Sequence, residues 1–283
     1  MTEKRITEMK NLCTEMREKI ITMIAYAGKG HPGGSLSAVE FLAACYFEEM
    51  NLRPEDPAWA DRDRFVLSKG HASAAIYAAL AIKGIISPEI LDTYNRFGSI
   101  LQGHPDSKKC PGIEISTGSL GQGFACAAGM ALTGKLDRKD YVVYALCGDG
   151  ECNEGEIWET CQSASKYHLD NLILMVDQNG FQGDGDVREI MPPLDLAKKF
   201  EAFGFDVQAI DGNDIDEVVE ALKKARVKKN GKPQCVIGKT TKGKGVSFME
   251  NNPDWHGKAP NASQCKTALT EIRAHYIPAK ETI

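Results

Sequence analysis

No stretch of this sequence is apolar for the roughly 20 residues that a membrane-crossing helix needs. The opening residues, Met1-Thr2-Glu3-Lys4-Arg5, lead into no apolar core of the kind a secretory signal carries. A cytoplasmic protein that touches no membrane is therefore the expectation. Basic charge is also scarce: 34 Lys and Arg stand against 39 Asp and Glu, for a formal charge of −5. That argues against a general nucleic-acid surface, which needs clustered cations. The nine cysteines contain no Cys-x-x-Cys pair, so no structural zinc site is expected. Cys45, Cys126 and Cys235 sit among apolar neighbours and are expected to be reduced and buried. Repeats, low-complexity tracts and linkers are absent. For 283 residues the economical organisation is one domain, 1–283.

What is present alternates between helical and strand patterns. Apolar residues recur at helical spacing through 3–27, and glycines break the pattern at 28–34. Ser35 or Ser37 is placed to cap a second helix running to Glu49. Residues 64–67 read as a short buried strand, followed by Gly70-His71 and an alanine-rich helix to about Lys83. Ser87-Pro88-Glu89 opens another helix, 99–119 is loop-like, and 120–132 is a helix of small residues. Strands are predicted at 141–146, 172–176, 206–210 and 234–237. Helices are predicted at 154–167, before 206, at 214–228 and at 263–275. This order predicts an α/β fold, a parallel sheet covered by helices on both faces.

Residues 141–181 are the most informative. Two apolar strands joined by one helix form a right-handed βαβ unit, so both strands end on the same sheet edge. Open α/β sheets bind ligands at that edge. One strand is followed by Gly148-Asp149-Gly150 and the other by Asn179-Gly180. An Asp carboxylate, an Asn carbonyl and a backbone carbonyl are hard oxygen ligands that suit Mg²⁺ or Ca²⁺ with phosphate. Gly148 and Gly150 are expected to let the backbone approach a phosphate and point N–H groups at it. Singly, Asp-Gly and Asn-Gly are ordinary turns. Two of them at matching strand ends favour a site. Other phosphate motifs fail: Pro233 stands at the first glycine of a P-loop ending in Gly238-Lys239-Thr240, and Cys126 at the third glycine of a dinucleotide fingerprint.

Of the six histidines, four adjoin a glycine in predicted loops or strand ends: His31, His71, His104 and His256. Imidazoles in a shared cleft suit proton transfer and hydrogen bonding to hydroxyls or phosphate. A zinc cluster is a rival, disfavoured because no carboxylate or cysteine stands beside them at ligand spacing. His168 and His275 read as surface residues.

Gly148-Asp149-Gly150 followed thirty residues later by Asn179 resembles the signature of thiamine diphosphate enzymes. The resemblance sharpens to transketolase. Gly30-His31-Pro32-Gly33, Lys69-Gly70-His71-Ala72, Gln102-Gly103-His104-Pro105 and Thr117-Gly118-Ser119-Leu120-Gly121-Gln122-Gly123 match its motifs in order. Thr240-Thr241-Lys242-Gly243-Lys244-Gly245 then leads to His256-Gly257. The resemblance implies that Asp149, Asn179 and the Phe181 carbonyl bind Mg²⁺, Ca²⁺ or Mn²⁺. It places His71, Gly118, Ser119, Leu120, Gly148, Asp149, Gly150, Glu151, Asn179 and His256 against thiamine diphosphate. His31, His104 and His256 would line the substrate channel, with His71 also in the catalytic set. Glu154, the last of the catalytic set, matches an acidic residue at the family's subunit interface that would relay protons between two active sites, and a helix-start Glu is an equal reading of it. Ser119 departs from the usual Pro, and Lys242 and Lys244 make their loop unusually basic.

The resemblance covers one domain of a larger enzyme. The family's activating Glu lies in a pyrimidine-binding domain that has no counterpart here. The expectation is a split transketolase: this chain joined by a C-terminal subunit in an α2β2 heterotetramer, moving a two-carbon ketol unit between sugar phosphates. Alternatives are a 2-oxo-acid dehydrogenase α chain, a deoxyxylulose-phosphate synthase and a non-catalytic metal-phosphate-binding partner. The histidine loops oppose the first. The Leu120-Gly121-Gln122-Gly123 loop and His256 oppose the second, and the complete set of site residues opposes the third.

Overall fold

The structure is a computed structural model that describes residues 1–183 and 185–277. Helix α1, Glu3–Ala27, is capped at one end by the Thr2 side chain, which accepts from Arg5 N. At its other end Gly28 takes the left-handed conformation, φ +69°. Met9, Met16, Ile20 and Ile24 lie on its buried face. The next helix begins earlier than the serines suggest. Helix α2, Pro32–Ser37, starts at a proline with His31 at its N-cap position, and Ser35 and Ser37 are buried inside it. Proline at the first position already has a helical φ and lacks only an N–H that no helix partner would have met. The helix predicted to reach Glu49 is interrupted: α3, Val39–Ala44, passes into a wide π turn, Cys45–Glu49.

Strand β1, Arg64–Leu67, leads through a 3₁₀ turn, Gly70–Ala72, into helix α4, Ser73–Ile82. The helix predicted at Pro88 is a 3₁₀ segment, Pro88–Thr93. Helix α5 spans Gln122–Leu136, two residues later at its start than predicted because Gly121 sits at φ +87°. Strand β2 is Val143–Gly148, helix α6 is Gly155–Lys166 and strand β3 is Leu172–Gln178. Both strands run two residues further than predicted, so Gly148 and Asp177 lie inside the sheet and pair with each other. A two-residue hairpin absent from the prediction follows, β4 Phe181–Gln182 with β5 Gly185–Asp186, and a short helix α7, Val187–Ile190. Helix α8 (Leu196–Ala202), strand β6 (Asp206–Asp211), helix α9 (Ile215–Val227), strand β7 (Gln234–Lys239) and helix α10 (Ala262–Arg273) follow.

The five long strands form one parallel sheet in the order β1-β2-β3-β7-β6. Alternate residues feed two cores. Tyr144, Leu146, Ile173, Met175 and Val236 pack toward α1, α3, α4 and α9. Val143, Ala145, Leu172, Leu174, Val176 and Cys235 pack toward α5, α6 and α8. Helices therefore cover both faces, and the strands read as continuous apolar runs for that reason. The chain moves β1 to β3 in one direction, jumps to the far edge at β6 and returns to β7. The reversal falls between β3 and β7, the position where a crevice opens outside the strand ends.

Seven of the nine cysteines are buried, and all nine are free. Cys126 corrects the expectation, because it lies on the exposed face of α5. Among the described residues no helix is long and apolar enough to cross a membrane.

Candidate active site

A cleft of about 290 Å³ opens at the carboxyl ends of β1, β2, β3 and β7. Its walls hold all four glycine-flanked histidines, with Gly118, Leu120, Gly148, Asp149, Gly150, Glu151, Asn179 and Phe181. Two site residues suggested by the resemblance are not on its walls. Ser119 is exposed, and Glu154 is exposed at the N-cap of α6 beside Gly121.

Strand register brings Asp149 and Asn179 together. Gly148 pairs with Asp177, so the next residues of both strands leave the sheet side by side. Asp149 is 1% exposed. Its carboxylate accepts from Gly180 N at 2.7 Å and from Gly150 N at 2.9 Å. Burial pushes the Asp149 carboxyl up to about 6, with Asp177 adding to the effect and the two N–H donors opposing it. The Asn179 amide is oriented from both ends: Nδ2 donates to Asp177 Oδ2 at 3.3 Å, and Oδ1 accepts from Phe181 N at 3.1 Å.

Gly148 N donates to Glu151 Oε2 at 3.0 Å, and Gly150 N donates to Asp149 Oδ1 at 2.9 Å. Glu151 lines the cleft yet binds the protein. Its other oxygen accepts from Gly121 N at 2.9 Å and from the Ser68 hydroxyl. Burial raises its pKa while these donors hold the charge. Glu151 thereby ties the loops after β1 and β2 to the start of α5. The loop after β1 also lies against the 117–118 segment, an approach that needs Gly70, where a Cβ would lie 2.7 Å from Thr117 Oγ1 and 2.8 Å from the Thr117 carbonyl carbon.

The four imidazoles form one cluster. Ring centroids are 5.4 Å apart for His31 and His71, 6.0 Å for His31 and His104, and 5.3 Å for His31 and His256. His71 and His256 are also 5.3 Å apart. Burial lowers the pKa of His31, with His104 and Lys242 adding to it. Burial lowers His71 further, helped by Lys69 and the other three rings. His31 Nδ1 is buried, and among the described residues it has no hydrogen-bond partner. Among the described residues no group of three or more His, Cys, Asp or Glu is arranged to hold a metal ion.

Three residues of the site were given no role in it from the sequence. Lys69, Lys242 and Asp177 are 1%, 2% and 0% exposed. Both lysines line the cleft. Lys69 Nζ pairs with Asp177, which also accepts from Ser37 Oγ at 2.6 Å and from the Thr240 hydroxyl. Burial opposes the Asp177 charge, but Lys69 and the hydroxyls hold its pKa below the usual carboxylate value. Lys242 Nζ donates to Gly183 O at 3.2 Å and lies 3.2 Å from His256 Nδ1. Lys244, its basic neighbour, instead faces Glu250 at 3.7 Å and lies outside the cleft. A sequence signal existed for each. Lys69 directly precedes Gly70-His71, Lys242 opens a glycine loop, and Asp177 sits two residues before Asn179.

Comparison with known proteins agrees with this geometry. The family profile described as "Transketolase, thiamine diphosphate binding domain" matches residues 9–279. The 6-deoxy-6-sulfo-D-fructose transketolase subunit SqwG of Clostridium sp. (strain MSTE9) is 44% identical over 96% of this chain and 98% of its own length. One subunit of the apulose-4-phosphate transketolase of Phocaeicola vulgatus is 42% identical over 94% of each. The crystal structure of transketolase from Campylobacter jejuni superposes with a TM-score of 0.87 at 34% identity, over 96% of this chain and 43% of that one. With the family's motifs gathered in one cleft and its profile matched nearly end to end, this chain belongs to the transketolases, a transferase family, and forms their thiamine diphosphate-binding domain.

Proposed function

We propose that this chain is the diphosphate-binding subunit of a split transketolase that moves a two-carbon ketol unit from a ketose donor to an aldose acceptor. The observation that carries the reading is the convergence of Asp149, Asn179 and four imidazoles on one cleft at the sheet's reversal point. The donor set fits a divalent cation. Asp149 is a buried carboxylate that accepts hydrogen bonds from the backbone N–H groups of Gly150 and Gly180, and its pKa is raised chiefly by burial, a cost that a bound cation would relieve. Asn179 Oδ1 and the Phe181 carbonyl add neutral hard oxygens, a combination suited to Mg²⁺, Ca²⁺ or Mn²⁺.

Thiamine diphosphate, when bound, supplies the carbanion chemistry that breaks and forms the carbon–carbon bond. The chain's own residues hold and orient it. His71, Lys69 and Lys242 bring hydrogen-bond donors and positive charge to the diphosphate side. Gly118 and Leu120 form the facing wall. His31, His104 and His256 face the substrate side, where imidazoles hold or move protons at sugar hydroxyls. The lowered pKa of His31 keeps it neutral near pH 7 and able to accept a proton. Its unpartnered Nδ1 is an orphaned polar atom that a bound ligand would satisfy.

The partner is proposed to be a second subunit carrying the pyrimidine-binding domain, assembled as α2β2. Two observations support it: relatives of matching length are named subunits, and the chain spans 43% of the Campylobacter transketolase. The donor is proposed to be a ketose with an anionic group remote from the transferred carbons, as the relatives' sulfo- and phosphosugar names suggest. Reconstitution with a subunit that carries the pyrimidine-binding domain, thiamine diphosphate and Mg²⁺ should give ketol transfer from xylulose 5-phosphate, a sulfofructose or apulose 4-phosphate. Full turnover by this chain alone would refute the two-chain arrangement. Absence of transfer from every anionic ketose in the reconstituted complex would refute the reaction.

A further inference from the structure

A lysine stands on the Nδ1 side of His256. Lys242 Nζ lies 3.2 Å from that nitrogen. An ammonium has only hydrogens to give and no lone pair to offer. A hydrogen bond between these two atoms therefore has one possible direction, Lys242 donating and Nδ1 accepting. A neutral imidazole that accepts at Nδ1 carries its proton on Nε2.

The loop around Lys242 holds this geometry firmly. Thr241 N donates to Asn213 Oδ1 at 2.8 Å, and Gly243 N donates to Gly33 O at 3.0 Å. The lysine stem lies against Gly33, where a Cβ would come within 3.0 Å of Lys242 Cγ. Its ammonium also donates to Gly183 O at 3.2 Å and lies 5.3 Å from the centre of the Phe181 ring. His256 ends the 3₁₀ turn Pro253–Trp255, with its N–H donating to Pro253 O at 2.9 Å.

We infer that Lys242 is a positioning residue that fixes His256 as the Nε2–H tautomer, making His256 a hydrogen-bond donor into the cleft. Histidine roles then divide. His256 donates to an oxygen of the ligand, while His31, whose ring stands 5.3 Å away, is left as the acceptor. The consequence for turnover rests on the sugar-transfer reading above, but the tautomer does not.

The test is a two-bond ¹H–¹⁵N correlation spectrum of the full chain labelled with ¹⁵N-histidine, recorded above pH 7.5. Loss of one ring pattern in His256→Gln assigns the signals of His256. The expected wild-type pattern has a protonated Nε2 and an unprotonated, hydrogen-bonded Nδ1. In Lys242→Met the two nitrogen shifts should move toward each other as both tautomers become populated. A wild-type His256 protonated at Nδ1 would overturn the inference, and so would a Lys242→Met spectrum with the His256 pattern unchanged. The wild-type spectrum decides the tautomer even if the methionine variant fails to fold, and neither measurement depends on turnover.

Discussion

Replacing Asp149 by Asn should change how the cation-free chain's stability responds to pH. The Asp149 carboxyl is pushed up to about 6 in the fold, against an ordinary value of 3.8. A raised folded-state pKa means that the folded chain holds this proton more tightly than the unfolded chain does. The resulting stabilisation is fully present below pH 3.8 and is lost as pH rises through about 6. At about 1.4 kcal/mol per pH unit, the full effect is about 3 kcal/mol, with nearly half of it falling between pH 5 and pH 8. Asparagine abolishes the titration. It also turns an NH₂ toward a backbone donor, Gly150 N or Gly180 N, at a cost of about 1–3 kcal/mol. That cost does not vary with pH, so it cancels when the variant is compared with the wild type at two pH values. Urea unfolding in EDTA at pH 5 and pH 8 should show the variant gaining about 1.4 kcal/mol on the wild type across that interval. Adding thiamine diphosphate and Mg²⁺ at pH 8 should stabilise the wild type and leave Asp149→Asn nearly unmoved. Parallel pH profiles for the two proteins would refute the electrostatic account of Asp149. Equal stabilisation by cofactor and metal would refute its role as a ligand.

Asp177→Asn should destabilise the chain by about 3–5 kcal/mol in denaturant unfolding, because it strands the buried Lys69 ammonium without its counter-charge. His104→Ala should bind the cofactor normally in a calorimetric titration yet lose about 10²-fold in kcat/KM when reconstituted, the typical value of a positioned proton-transfer group. Unaltered kinetics would remove His104 from the site. Gly70→Ala should cost about 1–3 kcal/mol and weaken cofactor binding, since its Cβ would meet the Thr117 backbone at 2.8 Å and push the 117–118 loop from the cleft. An unchanged melting temperature would show that the loop yields freely.

The strands and the cleft-facing histidines were legible because their signals are local. Apolar runs such as residues 172–176 mark a sheet covered on both faces, and a glycine beside each of His31, His71, His104 and His256 marks a strand end or tight turn. Helix starts were less legible. Ser35 and Ser37 have the chemistry of N-caps, but Pro32 sets a helical φ three residues earlier, and the serines serve the core instead. The internal bonds of the 148–151 loop were not legible either: only the fold reveals Glu151 and Asp149 folding back to accept from Gly148 N and Gly150 N. Lys69 and Lys242 were not legible as buried residues. A lysine reads as solvent-exposed unless its counter-charge is known, and the partner of Lys69 lies 108 positions along the chain.

That distant partner also accounts for how one chain holds an ordered cleft before any ligand arrives. Asp177 stands at the end of β3, beside the sheet's reversal point, and collects donors from three distant segments and from its own. Ser37 comes from α2, which follows His31. Lys69 precedes His71, Thr240 precedes Lys242, and Asn179 is itself a site residue. Each donor is within six residues of a group that faces the cleft. A buried carboxylate is costly unless it is fully paired, so the three distant segments are stable here only when all of them reach it together. The registration of His31, His71, Asn179 and Lys242 is thus enforced by the core beneath them. Ligand binding need not order these groups, which leaves its free energy for the geometry of the reaction.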